Sequence, residues 1–147
     1  SKDVQKKHYI FSDTIIIAGD NAAELEVVRD KITEELKPSG EIESIIVDRI
    51  VSSVWRLKRC LMIEGRLMEF GASNIGEYEQ GIFQVRKRTD DEIAQLKAIG
   101  MIGDKDRLDE LARYENMLEK QIYKALCELD KIRKRESRKE QRKSRRG

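Results

Sequence analysis

The stretch Val47-Asp-Arg-Ile50-Val-Ser-Ser-Val54-Trp-Arg-Leu57-Lys-Arg-Cys-Leu61-Met-Ile-Glu64-Gly-Arg-Leu-Met68 decides the fold. Its seam residues, Val47, Ile50, Val54, Leu57, Leu61, Glu64 and Met68, alternate steps of three and four, the rhythm that lays a stripe along one side of a helix. A second seam, Leu111, Glu115, Leu118, Ile122, Ala125, Leu129 and Ile132, carries the mirrored spacing. Folded back on itself, the chain pairs 47 with 132, 50 with 129, 54 with 125, 57 with 122, 61 with 118, 64 with 115 and 68 with 111. Each pair adds to the same total, so an antiparallel hairpin uses both seams without a slip in register. The expected class is therefore all-α: a long antiparallel helical hairpin over about 40–70 and 104–135.

Working outward, the first seam helix is apolar on more than one side. Ile42, Ile46, Val51, Trp55 and Met62 make a second stripe that a hairpin alone would leave wet, so another helix, the N-terminal arm or a second subunit has to cover it. A flanking helix over 21–37 is one candidate: Asn21 and Glu24 have capping-box spacing, and Leu25, Val28, Ile32 and Leu36 form one stripe before Lys37-Pro38-Ser39-Gly40 ends it. A short helix over 90–99 starts from Thr89 with Glu92 three residues on, and Gly100 and Gly103 close it. Between them, 71–81 with its three glycines reads as a flexible connection. Residues 1–20 read as an extended arm whose Ile15 and Ile17, with Trp55, are expected to bind a partner. Domain organisation follows: arm 1–20, helical hairpin domain 21–135, and a basic, disordered tail 136–147.

Charged residues make up 39% of the 147 and aromatics 5%, a profile of long solvated helices rather than a compact α/β enzyme. The net charge of +2 hides an asymmetry. Residues 131–147 hold ten Lys/Arg against Glu136 and Glu140, a local +8, which leaves 20 basic and 26 acidic residues in 1–130, or −6. The body is acidic and the end cationic. Cys60 and Cys127 are read as buried free thiols, because their seam positions are offset by about two turns. No secretory signal or membrane-length apolar run occurs, so a cytoplasmic location is the default. The chain starts at Ser1, which fits a removed initiator or a piece of something longer.

The cationic end is the main functional expectation. Arg133, Lys134, Arg135, Arg138, Lys139, Arg142, Lys143, Arg145 and Arg146, with a second cluster at Arg86, Lys87 and Arg88, are expected to bind DNA or RNA by counterion release, without reading sequence. A solvated helix end and an acidic protein surface are the competing readings; an anionic membrane lacks an apolar partner face. Trp55-Arg-Leu-Lys-Arg59 mixes an aromatic with cations, yet a core tryptophan beside solvated cations accounts for it as well. Glu64 and Glu115 are expected as buried seam carboxylates set opposite each other, so that one pKa rises or a cation such as Arg59, Arg66 or Arg113 intervenes. A carboxylate metal centre would need Glu-x-x-His pairs, and the chain has only His8. No catalytic triad, Cys/His pair or phosphate loop is present, so catalytic residues, metal and cofactors are all expected to be none.

Three blocks together resemble a known group. Lys7-His8-Tyr9 with Ile15-Ile-Ile-Ala-Gly-Asp and Glu24-Leu-Glu, then Val47-Asp-Arg-Ile with Trp55-Arg-Leu-Lys-Arg, then Arg113-Tyr-Glu with Tyr123-Lys-Ala-Leu-Cys-Glu-Leu, resemble a family of uncharacterised bacterial helical proteins over roughly 7–130. Lys7-His8-Tyr9-Ile10 stands where that family has a Lys-His-Gly-Leu-like motif, with Tyr9 in place of glycine. A similar lead-in occurs in small terminase subunits of phages. The resemblance implies a helical fold, and the lead-in shared with small terminase subunits makes a phage or mobile-element packaging role one version of the expected function. The expected function is a non-enzymatic nucleic-acid-binding accessory or assembly protein, a homo-oligomer or part of a larger complex. The alternative is a protein–protein interaction subunit with no nucleic-acid contact.

Overall fold

The computed structural model describes residues 20–147, and the expectations for the arm, Ile15 and Ile17 lie outside them. Six elements follow in order: α1 (Ala22–Leu36), α2 (Gly40–Ser73), β1 (Tyr78–Gln80), β2 (Val85–Lys87), α3 (Asp90–Met101) and α4 (Lys105–Arg146). The fold is predominantly all-α, as the seams require. Local chemistry sets the helix starts. The Asn21 side chain accepts from the backbone N–H of Ala23 at 3.0 Å and of Glu24 at 3.4 Å, and Thr89 Oγ1 accepts from Glu92 N at 3.2 Å. Lys37 ends α1 in the left-handed region, φ 45°, with its N–H donating to Thr33 O at 2.8 Å.

The described chain divides into two compact units, one running to Lys58 and joined by Asn116–Gly147, the other Arg59–Glu115. The first holds the packed core. Ile46, Val47 and Ile50 of α2 meet Ala125 and Leu129 of α4, with Val54, Ile122 and Ile132 packed alongside, so the two seams share one core here. The second stripe of α2 is covered by α1: Leu25, Val51 and Trp55 form a buried cluster flanked by Val28 and Ile32. Each such side chain taken out of water contributes about 1.5–3 kcal/mol. Trp55 is only 5% exposed and its Nε1 donates to Asp20 Oδ2 at 3.2 Å, which corrects its assignment as a partner-binding residue. Helical rotation turns it inward and leaves Lys58 outside, 5.5 Å from the ring centroid and paired with Glu24 at 2.9 Å.

The second unit differs from the sequence expectation. The 71–81 connection is not a plain flexible link: α2 continues to Ser73 and a two-stranded antiparallel hairpin follows, with Tyr78 opposite Lys87, Glu79 opposite Arg86 and Gln80 opposite Val85. Gly81 N donates to Gln84 O at 2.7 Å and Arg88 N to Glu77 O at 2.8 Å, closing the hairpin at both ends. Gly71 of α2 and Gly100 of α3 touch backbone to backbone. A Cβ on Gly71 would lie 2.0 Å from Gly100 O, and one on Gly100 2.3 Å from Gly71 O, so neither position admits a side chain. The only buried apolar residues of this unit are Cys60 and Ala72.

The C-terminal end also departs from expectation. The tail read as disordered from 136 is helix, and α4 runs without a break to Arg146.

Candidate nucleic-acid interface

The expected anchor residues sit on one rod of helix, and the rod sorts them. Every residue from Arg133 onward is exposed. Arg135, Arg138, Arg142 and Arg145 follow one another at steps of three, four and three, so they share a face. Glu136 and Glu140, the carboxylates of this stretch, continue the packed seam instead and leave that face free of negative charge. Arg146 is exposed beside it and Lys143 on the side that continues the seam, and both lie in the last turn, where cations meet the negative end of the helix dipole. Lys134 pairs with Asp130 at 2.9 Å and Lys139 approaches Glu136 at 4.0 Å, both exposed and hence weak contacts.

Arg133 does not belong with them. Its Nε donates to Glu43 Oε1 at 2.7 Å, and a terminal nitrogen donates to the carbonyl oxygens of Leu36 and, at 3.3 Å, of Lys37. The Glu43 side chain is 9% exposed, so this guanidinium is a clip between α4, α2 and the end of α1 rather than a phosphate contact. A groove of about 690 Å³ opens beside the clip, lined by Lys37, Gly40, Glu41, Arg135, Glu136 and Glu140 among others, with both charges represented.

The Arg86–Arg88 cluster is likewise committed. Arg86 bonds Glu79 at 2.8 Å across the strands and Glu92 of α3 at 2.7 Å. These two carboxylates raise the guanidinium pKa further above its ordinary value, and the hydrogen bond from Arg86 holds the Glu92 carboxyl below the usual carboxylate range. Arg88 donates to Gly76 O at 2.9 Å. Lys87 stays exposed on β2, but one lysine is no cluster.

Glu64 and Glu115 are half-buried rather than buried. Burial pushes the Cys60 thiol up, the Glu115 carboxylate adds to that, and Arg59 opposes it. A cation thus shares the surroundings of the seam carboxylate. Among the described residues no group of three or more His, Cys, Asp or Glu is placed to hold a metal ion. Cys60 is buried and Cys127 exposed, both free, so the burial expected of Cys127 is corrected. Among the described residues no helix is long and apolar enough to cross a membrane.

Two features are not anticipated by the sequence reading. Lys120, Lys124 and Lys131 extend the exposed arginine face toward the middle of α4, and helical spacing alone is the signal that finds them. At the hairpin tip Ile82 is 93% and Phe83 95% exposed, an apolar pair whose position depends on the turn. Compared with protein-family models, curated proteins and solved structures, the chain matches none.

Proposed function

We propose that this chain is a non-enzymatic nucleic-acid-binding accessory protein, with the end of α4 as an electrostatic anchor and the helical hairpin as an assembly scaffold. One observation carries the reading: Arg135, Arg138, Arg142 and Arg145 share an exposed helix face that no carboxylate interrupts. Solubility alone would be served by cations anywhere around the helix. Aligning four of them on one face concentrates potential along a line, which is what a row of phosphates rewards through counterion release, while Lys134, Lys139, Lys143 and Arg146 add charge around the rest of the helix. An anionic membrane would reward an apolar strip beside the cations, and α4 has no apolar residue after Ile132. A packaging role in a phage or mobile element is one version, resting on Lys7-His8-Tyr9-Ile10 alone.

The test is binding of the full chain to duplex DNA and to RNA across a salt series. Truncation after Lys134 is the informative variant, because it keeps Ile132 and the Arg133 clip. Affinity should fall steeply with salt, and truncation should flatten the slope by up to about 6, at about 0.9 for each phosphate the shortened helix no longer neutralises. No binding at about 50 mM salt overturns the proposal.

A second reading, a protein–protein interaction subunit, is favoured by the exposed Ile82 and Phe83 with Phe70, Ile99 and Ile102. On that reading Ile82→Ser with Phe83→Ser abolishes assembly, seen by sedimentation, while tail truncation leaves it intact.

A further inference from the structure

The cationic face does not begin at the tail. Lys120, Lys124, Lys131, Arg135, Arg138, Arg142 and Arg145 succeed one another at steps of four, seven, four, three, four and three, which keeps them within about 80° of arc on α4. All seven are exposed, and among the described residues none is held by an ion pair. The two body lysines lie on the side of α4 turned away from Leu118, Ile122, Ala125 and Leu129, whose seam is packed or half-buried. Of the carboxylates of this stretch, Glu119, Asp130, Glu136 and Glu140 fall well off the arc, and Glu128, half-buried, borders its edge beside Lys124 and Lys131. Cys127 falls on it, between Lys124 and Lys131, and is exposed.

We infer that this face is one continuous track for the phosphates of duplex DNA, so that Lys120 and Lys124 of the packed body contact the same duplex as the arginines of the tail. The inference rests on the nucleic-acid reading above and extends it in residues and in ligand. At about 1.5 Å per residue the track is about 38 Å long, a little over one turn of B-form DNA. A rigid rod of that length suits a rigid, regular array of phosphates. Single strands are gripped by successive aromatic platforms, and residues 116–146 offer one aromatic, Tyr123. Beyond Glu140, the last residue of the groove beside the Arg133 clip, α4 is exposed on every side, so this part can enter a B-form major groove about 12 Å wide. The deep, narrow major groove of duplex RNA does not admit it. N-terminal to that point the opposite face lines the groove beside the clip or is packed, which leaves the lysine edge to meet flanking phosphates.

Cys127 supplies a readout that needs no substitution. The full chain is treated with iodoacetamide, a neutral reagent, with and without saturating generic duplex DNA, and alkylation of Cys127 is followed by mass spectrometry. Cys60 is the buried internal reference. Bound duplex should slow Cys127 alkylation at least about fivefold, and Lys120→Gln with Lys124→Gln should reduce the salt slope for duplex by about 2, since each lysine neutralises one phosphate. If DNA binds but Cys127 reacts at its free rate and the double variant keeps the full slope, the track is overturned while the tail anchor stands. Equal affinity for single-stranded DNA or duplex RNA overturns the choice of ligand. No binding of any nucleic acid removes the anchor and the track together.

Discussion

Arg133 shows how much one side chain settles at the residue scale. The carbonyls at the end of a helix have no partner in their own helix, and those of Leu36 and Lys37 receive a guanidinium from a residue almost a hundred positions away. The same group neutralises the nearly buried Glu43. Arg133→Ala should therefore lower stability in urea by about 1.5–3 kcal/mol, the range for hydrogen bonds to charged groups. Arg133→Lys should recover little of it, because an ammonium cannot present the fork that serves Glu43 and two carbonyls at once. Equal stability of Arg133→Lys and the parent chain would show that charge alone suffices. The cysteines give a second residue-level expectation. With Cys60 buried and its thiol pKa raised, and Cys127 exposed, an aromatic disulfide reagent at neutral pH should titrate one thiol fast and the other only on unfolding.

Among the elements, charge joins the hairpin to α3 and a glycine contact joins the end of α2 to α3, rather than a core. Arg86 lies between Glu79 on the facing strand and Glu92 in the first turn of α3. Because the Glu92 pKa is lowered in the fold, this link is at full strength above the ordinary carboxylate pKa of about 4.3 and is lost as pH falls through the lowered value. Titration followed by NMR should place the Glu92 midpoint lower in the parent chain than in Arg86→Gln; equal midpoints would mean the contact is not kept in solution. Gly71→Ala or Gly100→Ala forces the two backbones apart and should cost about 1–3 kcal/mol, checked by denaturation and by faster hydrogen exchange in 59–115. The contrast with the seams explains what the sequence could reveal. Val47 to Val54 and Ile122 to Ile132 were legible because spacing alone fixes a face, and Asn21 and Thr89 because a cap is local. The hairpin was not: its strands are three residues long and exposed throughout, its turn Gly81-Ile82-Phe83-Gln84 lacks an Asn-Gly pair, and Arg86 reaches a carboxylate on another element. The tail misled because its composition resembles a disordered segment. Helix is favoured there all the same by the pairing of Lys134 with Asp130 and by the cations in the final turn. Trp55 misled for the opposite reason, since its basic neighbours in sequence are not its neighbours in space.

At the scale of the whole molecule, apolar burial is distributed unevenly. Among the described residues, nine of the eleven buried apolar ones, from Leu25 through Trp55 and then Leu118, Ala125 and Leu129, belong to the first unit. The second keeps Cys60 and Ala72 inside while Phe70, Ile82, Phe83, Ile99 and Ile102 face solvent. Local stability follows buried contacts, so a unit without a core opens at lower free energy than one with a core. Hydrogen exchange in native conditions should accordingly protect amides of α1, of 43–55 and of 118–132 to the level of global unfolding, and those of 76–103 far less. The ordering should survive removal of the residues after Lys134, since none of them is buried. Concentration decides the rest. If self-association is what covers Ile82, Phe83 and their neighbours, protection in 76–103 should rise with protein concentration while that of 43–55 stays constant. Uniform protection across both units, at every concentration, would mean that the charge clamp and the glycine contact alone hold the second unit as firmly as nine buried side chains hold the first.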